Sequence, residues 1–115
     1  MAIFIGDNGF NVGQHGLLGK GKARILGKSE RRPNMFDHSI LVPFIVRWPR
    51  VVQPGISSEA LISTIDILPT IMDITGADAG VNLRLDGRSL APLLNGQRGV
   101  KWRDAWFDTY EHDLQ

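Results

Sequence analysis

The sequence predicts an α/β fold, a mostly parallel sheet flanked by helices, on three observations. The apolar run Ala2-Ile3-Phe4-Ile5 stops at Asp7-Asn8-Gly9, as a buried strand does when it delivers polar side chains to its C-terminal end. A second apolar run over residues 42–49 reads as another strand, with Pro43 and Pro49 placing it near an edge or letting it start at Pro43. Between residues 61 and 75, Ile67, Leu68, Ile71, Met72 and Ile74 fall close to helical spacing.

The remaining elements follow from punctuation. Residues 7–32 carry glycines 9, 13, 16, 19, 21 and 27 and the cations Lys20, Lys22, Arg24, Lys28, Arg31 and Arg32, a pattern expected of a long solvated loop. Pro33 opens a helical turn over Pro33-Asn34-Met35-Phe36-Asp37-His38-Ser39, and Val52-Gln53-Pro54-Gly55 is a turn. In the 61–75 helix Asp66 caps the N-terminus, Pro69 is tolerated in the first turn and Gly76 stands at the C-terminal cap. Asp86-Gly87 is a turn, residues 90–94 a helical turn closed by Asn95-Gly96, and residues 102–110 an aromatic final strand. No repeat, low-complexity segment or domain boundary interrupts the chain. A site-bearing parallel strand starting one residue after Met1 has no earlier strand to pair with, so residues 1–115 are expected to be a piece of a larger domain.

Composition narrows the function classes. A net charge of +1 on 115 residues is not the footprint of a nucleic-acid binder. The apolar stretches are broken by Pro43, Asp66 and Pro69, short of the roughly 20 residues a membrane span needs. There is no cysteine, which removes disulfides and zinc-thiolate sites, and no basic, signal-peptide-like start.

The chemistry concentrates between Asp7 and Gly21. In open α/β sheets, sites form at the C-terminal ends of strands. Asp7 and Asn8 pair a carboxylate with an amide oxygen, donors that suit a hard cation such as calcium or magnesium. His15 adds a proton donor or acceptor, and Lys20, held between two glycines, adds a positive charge. Together they suit a tetrahedral oxyanion ester. His38, Thr70, Met72, Trp48, Trp102 and Trp106 read as structural, and Glu111-His112-Asp113 as a solvated terminus.

The motifs stand in a recognisable order: Asp7-Asn8-Gly9, Gly13-Gln14-His15-Gly16, Gly19-Lys20-Gly21, Pro33-Asn34-Met35, Asp37-His38-Ser39, Val42 to Pro49, Asp66-Ile67-Leu68-Pro69-Thr70 and Asp86 to Gly96. This set resembles the type I sulfatases of the alkaline-phosphatase-like superfamily, over about residues 2–107. The resemblance implies the C-terminal portion of a sulfatase catalytic domain, cut at both ends. It implies that Asp7 and Asn8 are ligands of a calcium ion, that Lys20 binds sulfate oxygens, and that His15 binds sulfate or protonates the leaving oxygen. It further implies a sulfated small molecule or sulfated glycan as substrate, and an exported parent, periplasmic or secreted. The family's nucleophile is a formylglycine made from the Cys or Ser of a C/S-x-P-x-R motif, which residues 1–115 do not contain. The chain alone is therefore expected to be inactive. Two other readings stay open: a phosphate mono- or diester hydrolase of the same superfamily, and a non-catalytic fragment. Asn8 followed by Gly19-Lys20-Gly21 favours sulfate.

Overall fold

A computed structural model describes residues 1–77 and 84–108. The chain divides into two compact units, one built on Ala2–Val46 and the other on Arg47–Trp106.

In the first unit, β1 (Ala2–Ile5) pairs with β6 (Phe44–Arg47), the two apolar runs of the sequence. Between them the chain forms a four-stranded sheet of β2 (Asn11–Val12), β3 (Leu17–Gly19), β4 (Lys22–Ile25) and β5 (Arg31–Pro33), in that order. All of its ladders are antiparallel. This corrects one expectation, the long loop over residues 7–32, while the mostly parallel sheet expected around β1 and β6 is not shown by these ladders. The reason is connection length: parallel neighbours need a crossover of a dozen or more residues, whereas tight turns permit only antiparallel pairing. The glycines that suggested a loop are turns between strands.

One face of this sheet is buried and the other is open. Asn11, Leu17 and Ala23 lie on the buried face, while Val12, Leu18, Arg24 and Arg31 form a row across the exposed one. A single-turn helix α1 (Asp37–Ile40) follows β5. It starts later than the sequence predicts, because Arg31, Arg32 and Pro33 are taken into β5.

The second unit is organised around Asp66. A 3-10 turn, Thr64–Asp66, runs into α2 (Ile67–Thr75), which ends on Gly76 as expected, and α3 (Ala91–Leu94) ends at Asn95-Gly96. Asp66 is fully buried and accepts backbone N–H bonds from Ser63 (2.8 Å) and Arg88 (2.8 Å). It also receives both arms of the Arg103 guanidinium, at 2.6 and 2.7 Å. Thr70, also fully buried, donates to the Asp66 carbonyl (2.5 Å) and accepts from the Leu90 N–H (2.8 Å), which fastens α3 to α2. This corrects the expectation that Asp66 caps the helix: its side chain makes no cap bond to α2, and its carboxylate instead bonds back to Ser63 and ties that turn to Arg88 and Arg103. Residues 102–108 have no regular structure, so the aromatic strand expected there is absent from the described residues, and Tyr110 lies outside them. The Trp102 indole donates to the Leu61 carbonyl (2.7 Å), and Arg103 lies over the Trp102 and Trp106 rings, so Trp102 and Trp106 are structural. Among the described residues no helix is long and apolar enough to cross a membrane.

Candidate functional site

The sequence placed four residues at one site, and the structure brings two of them into direct contact. Asn8 follows the end of β1, and Lys20 stands in the tight turn joining β3 to β4. The Lys20 ammonium donates to the Asn8 Oδ1. Eleven residues of intervening chain fold back so that a lysine meets the amide oxygen expected to bind a cation. Asp7 is exposed beside Asn8.

Lys20 is held from both sides by a buried polar trio. The Asn11 amide donates to the Gly19 carbonyl (3.2 Å) and to the Ser39 hydroxyl (2.6 Å). The Asn34 side-chain amide (2.8 Å) and backbone N–H (2.9 Å) both donate to the Gly21 carbonyl. Ser39 donates to the Asn34 Oδ1 at 2.6 Å, which closes the network. The carbonyls on either side of Lys20 are therefore fixed to α1 and to the strand ends. Gly19 and Gly21 have φ angles of 117° and 52°, a region L side chains rarely enter, so the tight approach depends on glycine. Motifs that looked like separate signals, Pro33-Asn34-Met35 and Asp37-His38-Ser39, serve as the clamp on the third, Gly19-Lys20-Gly21. Asn34→Ala removes the acceptor of the Ser39 hydroxyl proton and one of the two donors to the Gly21 carbonyl, and is expected to cost about 1–3 kcal/mol, measured by urea unfolding. A loss below 0.5 kcal/mol would argue against the clamp.

His15 belongs to a neighbouring cluster. Its ring stacks on Phe36 (centroids 3.8 Å, 14° between planes) and meets His38 edge-on at 5.5 Å. Its backbone is left-handed, with φ 56°, a conformation costing a residue with a Cβ on the order of 1–2 kcal/mol. Strain of this kind concentrates at functional positions. Among the described residues' hydrogen bonds and ring contacts, none joins His15 to Asn8 or Lys20. The two parts are linked through the backbone: Gly9, next to Asn8, donates its N–H to the Ser39 carbonyl (3.0 Å) in the helical turn that carries His38. His38 is thus a packing partner of His15, consistent with a structural reading.

The sequence missed Asn11, Asn34 and Ser39 as a unit, because three polar residues 23 and 28 positions apart show no periodicity. Glu111-His112-Asp113 lies outside the described residues. Among those described, no three His, Asp or Glu side chains gather in a metal-binding group.

The polar end of β1, the clamped lysine and the strained histidine lie on a small α/β scaffold, and the known proteins that this chain resembles are sulfatases. The family described as N-sulphoglucosamine sulphohydrolase, C-terminal, matches residues 29–114. Human N-acetylglucosamine-6-sulfatase is 34% identical over 101 residues, 88% of this chain and 16% of the relative. Human steryl-sulfatase is 38% identical over 85 residues, 74% of this chain and 13% of the relative. An ulvan-active sulfatase of Formosa agariphila is 44% identical over 61 residues, 53% of this chain and 12% of the relative. The chain belongs to the sulfatase family, within its C-terminal part, and spans less than a fifth of the length of these relatives.

Proposed function

We propose that this chain supplies the sulfate-gripping part of a sulfuric ester hydrolase, acting on a sulfated glycan or sulfated small molecule. The observation that carries this reading is the contact between the Lys20 ammonium and Asn8 Oδ1, with the carbonyls around Lys20 clamped by Asn11 and Asn34. A positive group held in place before the ester arrives stabilises the charge that develops as the bond to the leaving oxygen breaks. Lys20 would exchange the Asn8 oxygen for an oxygen of the sulfate. His15, exposed on its stack with Phe36, would hydrogen-bond the sulfate or protonate the leaving oxygen.

Asp7 and Asn8 fit calcium by donor type, an anionic and a neutral oxygen at a strand end, and Asn8 Oδ1 already faces a positive group. Two donors are a part of the six to eight that calcium takes, so further ligands would come from elsewhere in the parent domain. When bound, the ion would polarise the sulfate oxygens and the nucleophile. β1 and β6 would then be strands of the larger, mostly parallel sheet of the family. With no C/S-x-P-x-R in residues 1–115, the chain alone is proposed to be without turnover.

Thermal unfolding followed by circular dichroism tests this reading. Sodium sulfate with calcium chloride is expected to raise the midpoint by a few degrees through ligand linkage, and Lys20→Ala to remove the sulfate contribution. Equal midpoints with and without both ions, or release of sulfate from an aryl sulfate by the purified chain, would overturn the corresponding part of the proposal.

A further inference from the structure

The exposed face of the β2–β5 sheet has a charge pattern that the sulfate-gripping site does not use. Apart from Lys20, residues 22–32 hold five of the thirteen Lys and Arg and one of the twelve Asp and Glu, a local charge of +4 in a chain of net +1. The register puts Arg24 directly opposite Arg31, and Lys22, two residues from Arg24, on the same face. Like charges in opposed positions destabilise a sheet. Among the described residues the ion pair is Arg103 with Asp66, and no described carboxylate pairs with Arg24 or Arg31. The row continues through Leu18 and Val12, which are 36% and 69% exposed, so cations stand beside open aliphatic surface. Arg32 pairs with Ala23 and belongs to the opposite face, where its guanidinium lies 5.9 Å from the Phe36 ring centre.

We infer that this face binds a sulfated polysaccharide chain, with Lys22, Arg24 and Arg31 holding sulfates and Val12 and Leu18 lying against the C–H faces of the sugars. The inference deepens the sulfatase reading and rests on it for the substrate class: it moves from a single sulfate to a polyanion that extends past the site. Glycan chemistry fits better than nucleic acid. Single-stranded nucleic acid is held by aromatic platforms on which bases stack, and the row Val12, Leu18, Arg24, Arg31 with Lys22 and Pro33 contains no aromatic side chain. Sulfated sugars present both the anions and the aliphatic ring faces that this row complements. Backbone pairing holds the cations at fixed intervals, which lowers the ordering cost of binding.

The test uses the 115-residue chain and a heparin-derived octasaccharide, with affinity measured across a series of salt concentrations. Arg24→Ser/Arg31→Ser is expected to weaken binding about tenfold or more and to lower the slope of log affinity against log salt by between about 1 and 2, as two fewer contacts release counterions. Arg98→Ser/Lys101→Ser removes the same charge from exposed positions in the other unit and is expected to change affinity less than about twofold. Equal losses in the two double variants would reduce the effect to net charge, as in an unfolded chain, and overturn the proposal. So would octasaccharide affinity no greater than that for a single-stranded oligonucleotide of equal charge. Lys20→Ala separates this face from the sulfate site: retained octasaccharide binding with lost sulfate stabilisation supports both. Octasaccharide binding lost in Lys20→Ala and kept in Arg24→Ser/Arg31→Ser leaves the sulfate site standing and overturns the surface.

Discussion

Asp66→Ala is expected to destabilise the unit built on Arg47–Trp106 by about 3–5 kcal/mol, as removal of one partner of a buried pair does. The Asp66 side chain is fully buried and that of Arg103 is 9% exposed. The variant would leave a guanidinium without its counter-charge and strand the N–H groups of Ser63 and Arg88. Asp66→Asn keeps the shape but loses the charge and one acceptor oxygen, and is expected to fall between the wild type and Asp66→Ala. Urea unfolding followed by tryptophan fluorescence reads the difference, since Trp102 and Trp106 flank Arg103. Wild-type-like stability for Asp66→Ala would mean the pair does not organise the unit. The same pair sets a pH dependence. Burial pushes the Asp66 carboxyl up, but hydrogen bonds from Arg103, Arg88 and Ser63 outweigh it and hold the group below its ordinary range. A carboxyl depressed in the folded state contributes fully above its unfolded value, about 3.9, and the contribution is lost as pH falls through the folded value. Stability is therefore expected to fall below about pH 4 in the wild type and to fall less steeply in Asp66→Asn.

Gly9→Ala is expected to cost about 2–4 kcal/mol, from overpacking and a lost hydrogen bond. A Cβ on Gly9 would lie far inside van der Waals distance of the His38 carbonyl oxygen and carbon, and backbone atoms cannot rotate away. Separation would break the Gly9 N–H bond to the Ser39 carbonyl and shift Asn8, the residue that receives the Lys20 ammonium. The variant is thus expected to lose sulfate-dependent stabilisation as well as stability. A Gly9→Ala chain with an unchanged unfolding midpoint and an unchanged sulfate response would show that the close approach has no role.

How far the sequence could be read depended on which physical signal each element carries. β1, β6, α2 and α3 announce themselves through apolar runs, helical spacing and glycine caps, and the structure has them within a few residues of where the pattern put them. The β2–β5 sheet hides because its buried face is made of Asn11, Leu17 and Ala23, a polar, a large and a small residue that give no apolar alternation. Its open face is cationic, which imitates a solvated loop. Arg103 gave no sign of its partner 37 positions earlier, since long-range pairs leave no local trace. At the site, the Asn8–Lys20 pair was legible as two motifs, and their contact is what the structure adds. Gly9 looked like ordinary turn chemistry; packing against His38 gives a stronger reason for it.

The register of the β2–β5 sheet also bears on the order in which the chain acquires its shape. Its ladders join residues only 6 to 11 positions apart, from Val12 with Leu18 to Lys22 with Pro33, all within Asn11–Pro33. Loops this short close at little entropic cost, and hairpins of this size form in about 1–10 μs. β1 and β6, by contrast, must meet across the whole of that segment, and high sequence separation slows pairing. The turn that carries Lys20 is therefore expected to form before β1, the strand that leads to Asn8, has found its neighbour. The lysine is the early half of the pair, and the amide comes to it.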